Sequence, residues 1–143
     1  MNNKGYPIEF LRGISNKDFV QNGMVLPTAF QFDTQMREDN MSEASINWLD
    51  DDGAIELAMK QRKDNGRIQF PAGIARLELD RVKLILRSIP EEVFSYERAP
   101  IEGNPYHGNL LMNSSTNKPI KQLIMNGLAL AAGTSIIAQR FQD

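Results

Sequence analysis

The sequence predicts an α+β fold: a mixed, mainly antiparallel sheet of roughly four to six strands with two or three helices packed on it. Three observations carry that expectation. Residues 74–79 alternate, with Ala75, Leu77 and Leu79 against Arg76 and Glu78, which is the period of a half-buried strand. Ile120, Leu123, Ile124, Gly127, Leu128 and Ala131 recur at helical spacing and form the clearest amphipathic stripe in the chain. Turn formers such as Asn65-Gly66, Pro71-Ala72-Gly73 and Pro90 cut the remainder into short segments. At 143 residues and 41% apolar content, without repeat or linker, residues 1–143 read as one domain that can bury a core unaided.

Taken in order, residues 6–14 predict a first strand, with Ile8, Phe10 and Arg12 on one face and Leu11 on the other. Ser15 can cap a short helix over residues 16–20, stopped by Gly23. Residues 25–32 contain Pro27 and read as an irregular or edge segment. Residues 33–42 are polar and read as a mobile loop. Residues 45–49 predict a short strand. After Asp50-Asp51-Asp52 a helix is expected to about Lys63, with Ile55, Ala58 and Met59 on its apolar face. Asp80 can cap a helix over residues 81–88 with Val82, Ile85 and Leu86 inward, although a strand competes there. Strands are expected over residues 93–98 and 109–112. Asn117 and Pro119 open the last helix, and Gly133 breaks or kinks it.

Composition removes several function classes. The chain has no cysteine, so disulfides, thiolate nucleophiles, iron–sulfur clusters and cysteine-based zinc sites are excluded. A single histidine excludes His-rich metal sites and leaves His107 as the one imidazole for any triad. No phosphate-binding glycine loop and no Gly-x-Ser-x-Gly elbow occurs, and no cofactor is expected. The net charge is −2 with both signs scattered, which makes nucleic acid an unlikely partner. The basic stretch from Lys60 to Arg67 sits where a helix end favours cations. The polar start and the lack of a long apolar run argue against a signal peptide or membrane span, so a cytoplasmic protein is expected.

Four constellations remain. Asn104-Pro105-Tyr106-His107-Gly108-Asn109 joins the histidine to an aromatic and two amides in a turn-and-strand context. There His107 could serve as a general base or fix the turn through a backbone carbonyl. Asp50-Asp51-Asp52 could hold a hard cation, or cap the helix that follows. Arg12, among apolar residues, could bind an anion or pair with a carboxylate. Trp48 beside Asn47 could contact a ligand or belong to the core. Asn104, Tyr106, Asn47 and Trp48 are therefore the ligand-binding candidates, and His107, Arg12 and Glu97 the catalytic ones.

Phe10-Leu11-Arg12-Gly13-Ile14, Thr28-Ala29-Phe30, Ser45-Ile46-Asn47-Trp48, Gly73-Ile74-Ala75-Arg76-Leu77 and Asn104-Pro105-Tyr106-His107 occur in that order. Together, over residues 10–111, they resemble a group of small uncharacterised bacterial proteins. Those begin with a Leu-Arg-x-Ile-like strand and end with an Asn-Pro-x-His turn. The likeness implies no function. Arg12, Ser45-Ile46-Asn47 and Glu97 also resemble, by analogy, the landmarks of ADP-ribosyltransferase-type folds. That likeness implies that Arg12 would hold the pyrophosphate of NAD and Glu97 would orient the attacking hydroxyl. The leading expectation is a bacterial accessory or protein-interaction protein without catalysis, bound to a protein partner or a second copy. The alternative is a small nucleotide-dependent enzyme acting on NAD, with Arg12, Glu97 and His107 in one pocket.

Overall fold

The structure, a computed structural model, describes residues 9–143. The expected start of the first strand at Tyr6, with Ile8 on its core face, and the polar N-terminus lie outside the described residues. The first strand, β1, runs Glu9–Gly13. Lys17–Phe19 forms a single 3-10 turn capped by Asn16, whose side chain accepts from the Asp18 N–H. The expected helix over residues 16–20 with a Ser15 cap is therefore corrected to one turn with its cap a residue later. Asn22 and Gly23 take positive φ values of 53° and 76°. They join β2 (Val20–Gln21) to β3 (Met24–Val25) as a tight hairpin. Two successive left-handed positions are what such turns require, so Gly23 belongs to a hairpin and does not stop a helix. Pro27–Phe30 is a second 3-10 turn that sinks Phe30 into the core, so of the two expected alternatives this stretch is irregular rather than an edge strand.

β4 spans Met41–Trp48, beginning at Met41 rather than at Ser45. α1 is Asp52–Lys60, ending before the expected Lys63. Asn65-Gly66 instead closes a turn in which the Lys63 N–H meets Arg67 O at 2.8 Å. β5 is Ile74–Glu78, and α2 (Leu79–Ile85) follows it directly, so Glu78 rather than Asp80 is the N-cap residue. β6 is Phe94–Arg98, β7 is His107–Asn113, α3 is Lys118–Ala132 and β8 is Ile136–Ile137.

Among the described residues, six strands form one sheet in the order β6-β7-β4-β1-β5-β8. Every pairing in it is antiparallel, the limiting case of the expected mainly antiparallel sheet. Register and strand alternation sort the side chains onto two faces. Phe10, Ile46, Trp48, Leu77 and Leu110 share one face and join the large core under α2, α3 and the Pro27–Phe30 turn. Leu11 and Ile74 point the other way and pack with Ala54, Ala58 and Met59 of α1. Phe10 and Leu11 are thus both buried, because β1 is covered on both sides. α1 covers only part of its face. Beyond it, Ser45 of β4 with His107 and Asn109 of β7 form a polar sheet surface, which Glu97 of β6 extends.

α3 buries Ile124, Leu128, Ala131 and Ala132, but Leu123 is 46% exposed, so the apolar stripe is narrower than its sequence pattern. Gly133 (φ 57°) ends the helix, and the chain returns to pair β8 with β5. None of the described helices is long and apolar enough to cross a membrane.

Candidate functional site

The polar sheet face meets α1 and the Phe70 loop around a cleft of about 200 Å³. Its floor is β4 and β7. Ser45 and Asn47 lie two residues apart on β4, and register places His107 directly opposite Asn47. Apolar walls come from Leu11, Phe70 and Ile101. Gln61 and Gln69 complete the polar lining, and among the described residues no Asp, Glu, Lys or Arg lines the cleft.

Hydrogen bonding fixes how the polar groups are presented. The Tyr106 backbone N–H can only donate, and it donates to Asn104 Oδ1 at 3.1 Å. Asn104 Nδ2 must then be the donor to Asn47 Oδ1, at 2.8 Å. Both amides are buried, with Asn104 at 4% and Asn47 at 7% exposure. Asn47 is left presenting Nδ2 at the cleft. The same logic sets the histidine. The Ala99 carbonyl can only accept, and it lies 2.8 Å from His107 Nδ1, so Nδ1 carries the proton. In the neutral ring Nε2 then holds a lone pair, with Ser45 Oγ 3.4 Å away.

The expected site residues divide accordingly. Asn47, Asn104 and His107 come together in the cleft. Tyr106 contributes its backbone to the relay, but its phenol turns to α1 and donates to Asp51 Oδ1 at 2.9 Å. That hydrogen bond raises the phenol above its ordinary pKa, with burial and the charges of Asp51 and Asp50 adding to the effect. Trp48 is fully buried on the opposite sheet face, where its ring meets Phe10 edge-on at 5.9 Å. It is a core residue, because one step along a strand reverses the side chain's direction.

Glu97 shares the polar face but stands outside the cleft lining. Burial alone would raise its carboxyl pKa. Hydrogen bonds from Arg37 and Asn109, with the Arg37 charge, outweigh that and hold it below the usual range. Arg37 also binds Asp39 at 2.9 Å and Glu43 at 3.1 Å, and the hydrogen bond to Glu97 is the main cause of its raised pKa. The stretch expected as a mobile loop is therefore tied down. Its backbone also donates from Asp33 to Glu43 O at 2.7 Å and from Arg37 to Met41 O at 2.9 Å.

Arg12 follows Leu11 on β1, and Leu11 pairs with Asn47, so Arg12 projects from the face opposite His107. A common pocket for Arg12, Glu97 and His107 is thereby corrected. Among the described residues the partners of Arg12 are backbone carbonyls rather than a carboxylate. Its Nε donates to Ala29 O at 2.9 Å and its Nη1 to Ser45 O at 2.6 Å, while Nη2 reaches Gln31 O at 3.5 Å. Burial lowers its pKa, against the opposing charge of Asp33.

The acidic triplet disperses. Asp50 binds Arg98 at 2.8 Å, and Asp51 caps α1 by accepting from the Gly53 N–H at 2.8 Å. Asp52 opens the helix. Among the described residues no group of three or more His, Cys, Asp or Glu side chains could hold a metal ion. In the basic stretch, Lys60 pairs with Glu56 at 3.0 Å and Arg62 donates to Gly66 O at 2.7 Å.

Sequence reasoning named Ser45 only within the Ser45-Ile46-Asn47 landmark, not as a site candidate, and missed Gln61, Gln69 and Phe70. Ser45 was within reach, since alternation puts it on the face of Asn47. The other three arrive through the path of the chain after α1, which no local pattern encodes. No family model, no curated protein and no solved structure matches the chain.

Proposed function

We propose that this chain is a bacterial, cytoplasmic accessory protein that acts by binding another protein. The cleft receives an uncharged hydrogen-bonding group of that partner, a backbone amide or an Asn or Gln side chain. The observation that carries the reading is the relay from the Tyr106 N–H through Asn104 to Asn47. It orients the Asn47 donors before any ligand arrives, so little ordering entropy is lost on binding. The uncharged lining supports a neutral ligand, and the small volume supports one or two side chains rather than a large metabolite.

The test recovers the tagged full chain from its native host and compares it with Asn47→Ala and Asn104→Ala. A stoichiometric protein that both variants lose is the expected result. A chain that comes alone and sediments as a monomer sinks the reading, and so does a partner that both variants retain in full. If the companion is a second copy, sedimentation shows a dimer that the variants dissociate.

A second reading is a small NAD-dependent enzyme resembling ADP-ribosyltransferases. It draws on Glu97 and His107 sharing one sheet face. It must do without Arg12 as pyrophosphate ligand. Thermal stabilisation by NAD that Glu97→Gln abolishes would favour it over the first.

A further inference from the structure

We propose that Ser45 and His107 form a nucleophile–base pair that cleaves small uncharged esters in the cleft. The inference rests on the cleft being the functional site, but not on a protein partner. His107 is already anchored by its Nδ1–H to Ala99 O at 2.8 Å, so a purely structural role needs nothing from Nε2. That nitrogen nevertheless faces the Ser45 hydroxyl at 3.4 Å. This is the arrangement of nucleophile, base and orienting acceptor used in serine acyl transfer, with a backbone carbonyl as the third member. The separation is long, as such pairs often are before substrate is engaged.

Two further features fit the chemistry. Asn47, two residues along the same face, presents the Nδ2 donors that the Asn104 contact orients, a side-chain oxyanion donor. Arg12 grips the Ser45 carbonyl from the opposite face at 2.6 Å, which fixes the nucleophile's backbone. Arg12 is then a positioning residue. Leu11, Phe70 and Ile101 offer an apolar wall for a short acyl chain, and the uncharged lining disfavours phosphate esters and free acids.

In the first step Ser45 Oγ bonds to the ester carbon, the carbonyl π pair moves onto its oxygen, and the Oγ proton passes to His107 Nε2. The carbon–alkoxide bond then breaks, and Nε2 returns the proton to the departing alcohol. Water then gives a proton to the same nitrogen as its oxygen bonds to the acyl carbon, the bond from that carbon to Oγ breaks, and Nε2 returns the proton to Oγ, releasing the carboxylic acid and restoring the Ser45 hydroxyl.

The test incubates the purified full chain with a fluorophosphonate probe, read by intact mass and peptide mapping, and follows hydrolysis of p-nitrophenyl acetate and butyrate. One probe per chain on Ser45 is expected, with none on Ser45→Ala. His107→Gln and Asn47→Ala should each slow labelling and hydrolysis by about 100-fold. Absence of Ser45 labelling in the folded wild type, labelling at another residue, or ester hydrolysis by Ser45→Ala at the wild-type rate overturns the proposal. Mapping the label on the wild-type chain decides the matter even if a variant misfolds. The isolated chain is used throughout, so failure here leaves the partner reading standing, and loss of that reading leaves this one.

Discussion

Arg12 and Glu97 show how an ionisable side chain can be spent on architecture. Among the described residues β1 pairs with β4 at Phe10 and Leu11. Past that point the strands diverge, and the guanidinium of Arg12 fills the gap by donating to Ala29 O and Ser45 O. A planar fork can serve two carbonyls in different directions, which a single ammonium does less well. Arg12→Ala is therefore expected to destabilise the chain by about 2–4 kcal/mol, and Arg12→Lys to recover less than half of that. Urea unfolding measures both, and an Arg12→Ala value within about 0.5 kcal/mol of wild type removes the structural role. Glu97 adds a pH dependence of known sign. Its carboxyl pKa is depressed in the folded chain. Its contribution is thus present above the ordinary carboxyl value of 4.5 and lost as pH falls through the folded value below it. Glu97→Gln should flatten the acid limb of the stability curve below about pH 4.5, and an unchanged limb argues against the pairing with Arg37. At this scale Asp51 was legible, because a helix N-terminus asks for such a residue whatever the tertiary context. Arg12 was not, because its carbonyl partners exist only where two strands part.

Elements follow their sequence best where local chemistry decides them. β5 and α3 appear where alternation and the Asn117 cap put them, with Asn117 Oδ1 accepting from the Ile120 N–H at 3.0 Å. Asn117→Ala should cost about 1 kcal/mol. A loss below about 0.3 kcal/mol in thermal unfolding would mean that packing alone holds the start of α3. β8 was missed, because Ile136 and Ile137 become a strand only by reaching the edge of β5. The early start of β4 was missed for the same reason, since Met41 pairs with Asn113, a partner distant in sequence. β7 carries a sharper constraint. A Cβ at Gly108 would clash with Trp48 Nε1 and lie 2.7 Å from the Glu97 carbonyl oxygen. Both obstacles are buried or part of the ladder, so neither yields easily. Gly108→Ala is expected to destabilise by about 2–4 kcal/mol and to disturb His107, its immediate neighbour on β7. Chemical unfolding reads the first effect, and the imidazole NMR resonances read the second. An unperturbed His107 in a destabilised variant would show that the clash is absorbed on the Trp48 side alone.

The whole molecule is a sheet with unequal faces. One is closed by α2, α3 and the Pro27–Phe30 turn, and it holds the large core. The other is closed by α1 only at the end near β1 and β5, and it leaves the β4–β7 surface as the cleft floor. Residues 139–143 brace one side of the cleft wall. Gln139 Nε2 donates to Phe70 O at 3.1 Å, and Phe141 packs on the α1 cluster. The Arg62 guanidinium reaches Gln142 O at 3.3 Å. The Phe70 wall is thus held from two sides, by the sheet, where its ring packs on Gly13 and the Leu11–Ile74 cluster, and by the segment after β8, whereas the floor is ladder alone. A chain ending at Ala138 should therefore keep its fold and loosen the Phe70 side of the wall. Amide exchange is expected to accelerate over residues 61–70 and stay unchanged in β4 and β7, because the strand ladder does not depend on the tail. Binding and turnover in the cleft should weaken together, since Phe70 supplies an apolar wall to both. Exchange that accelerates equally across the sheet would instead make the tail part of the global core, and the division of labour between floor and wall would fall with it.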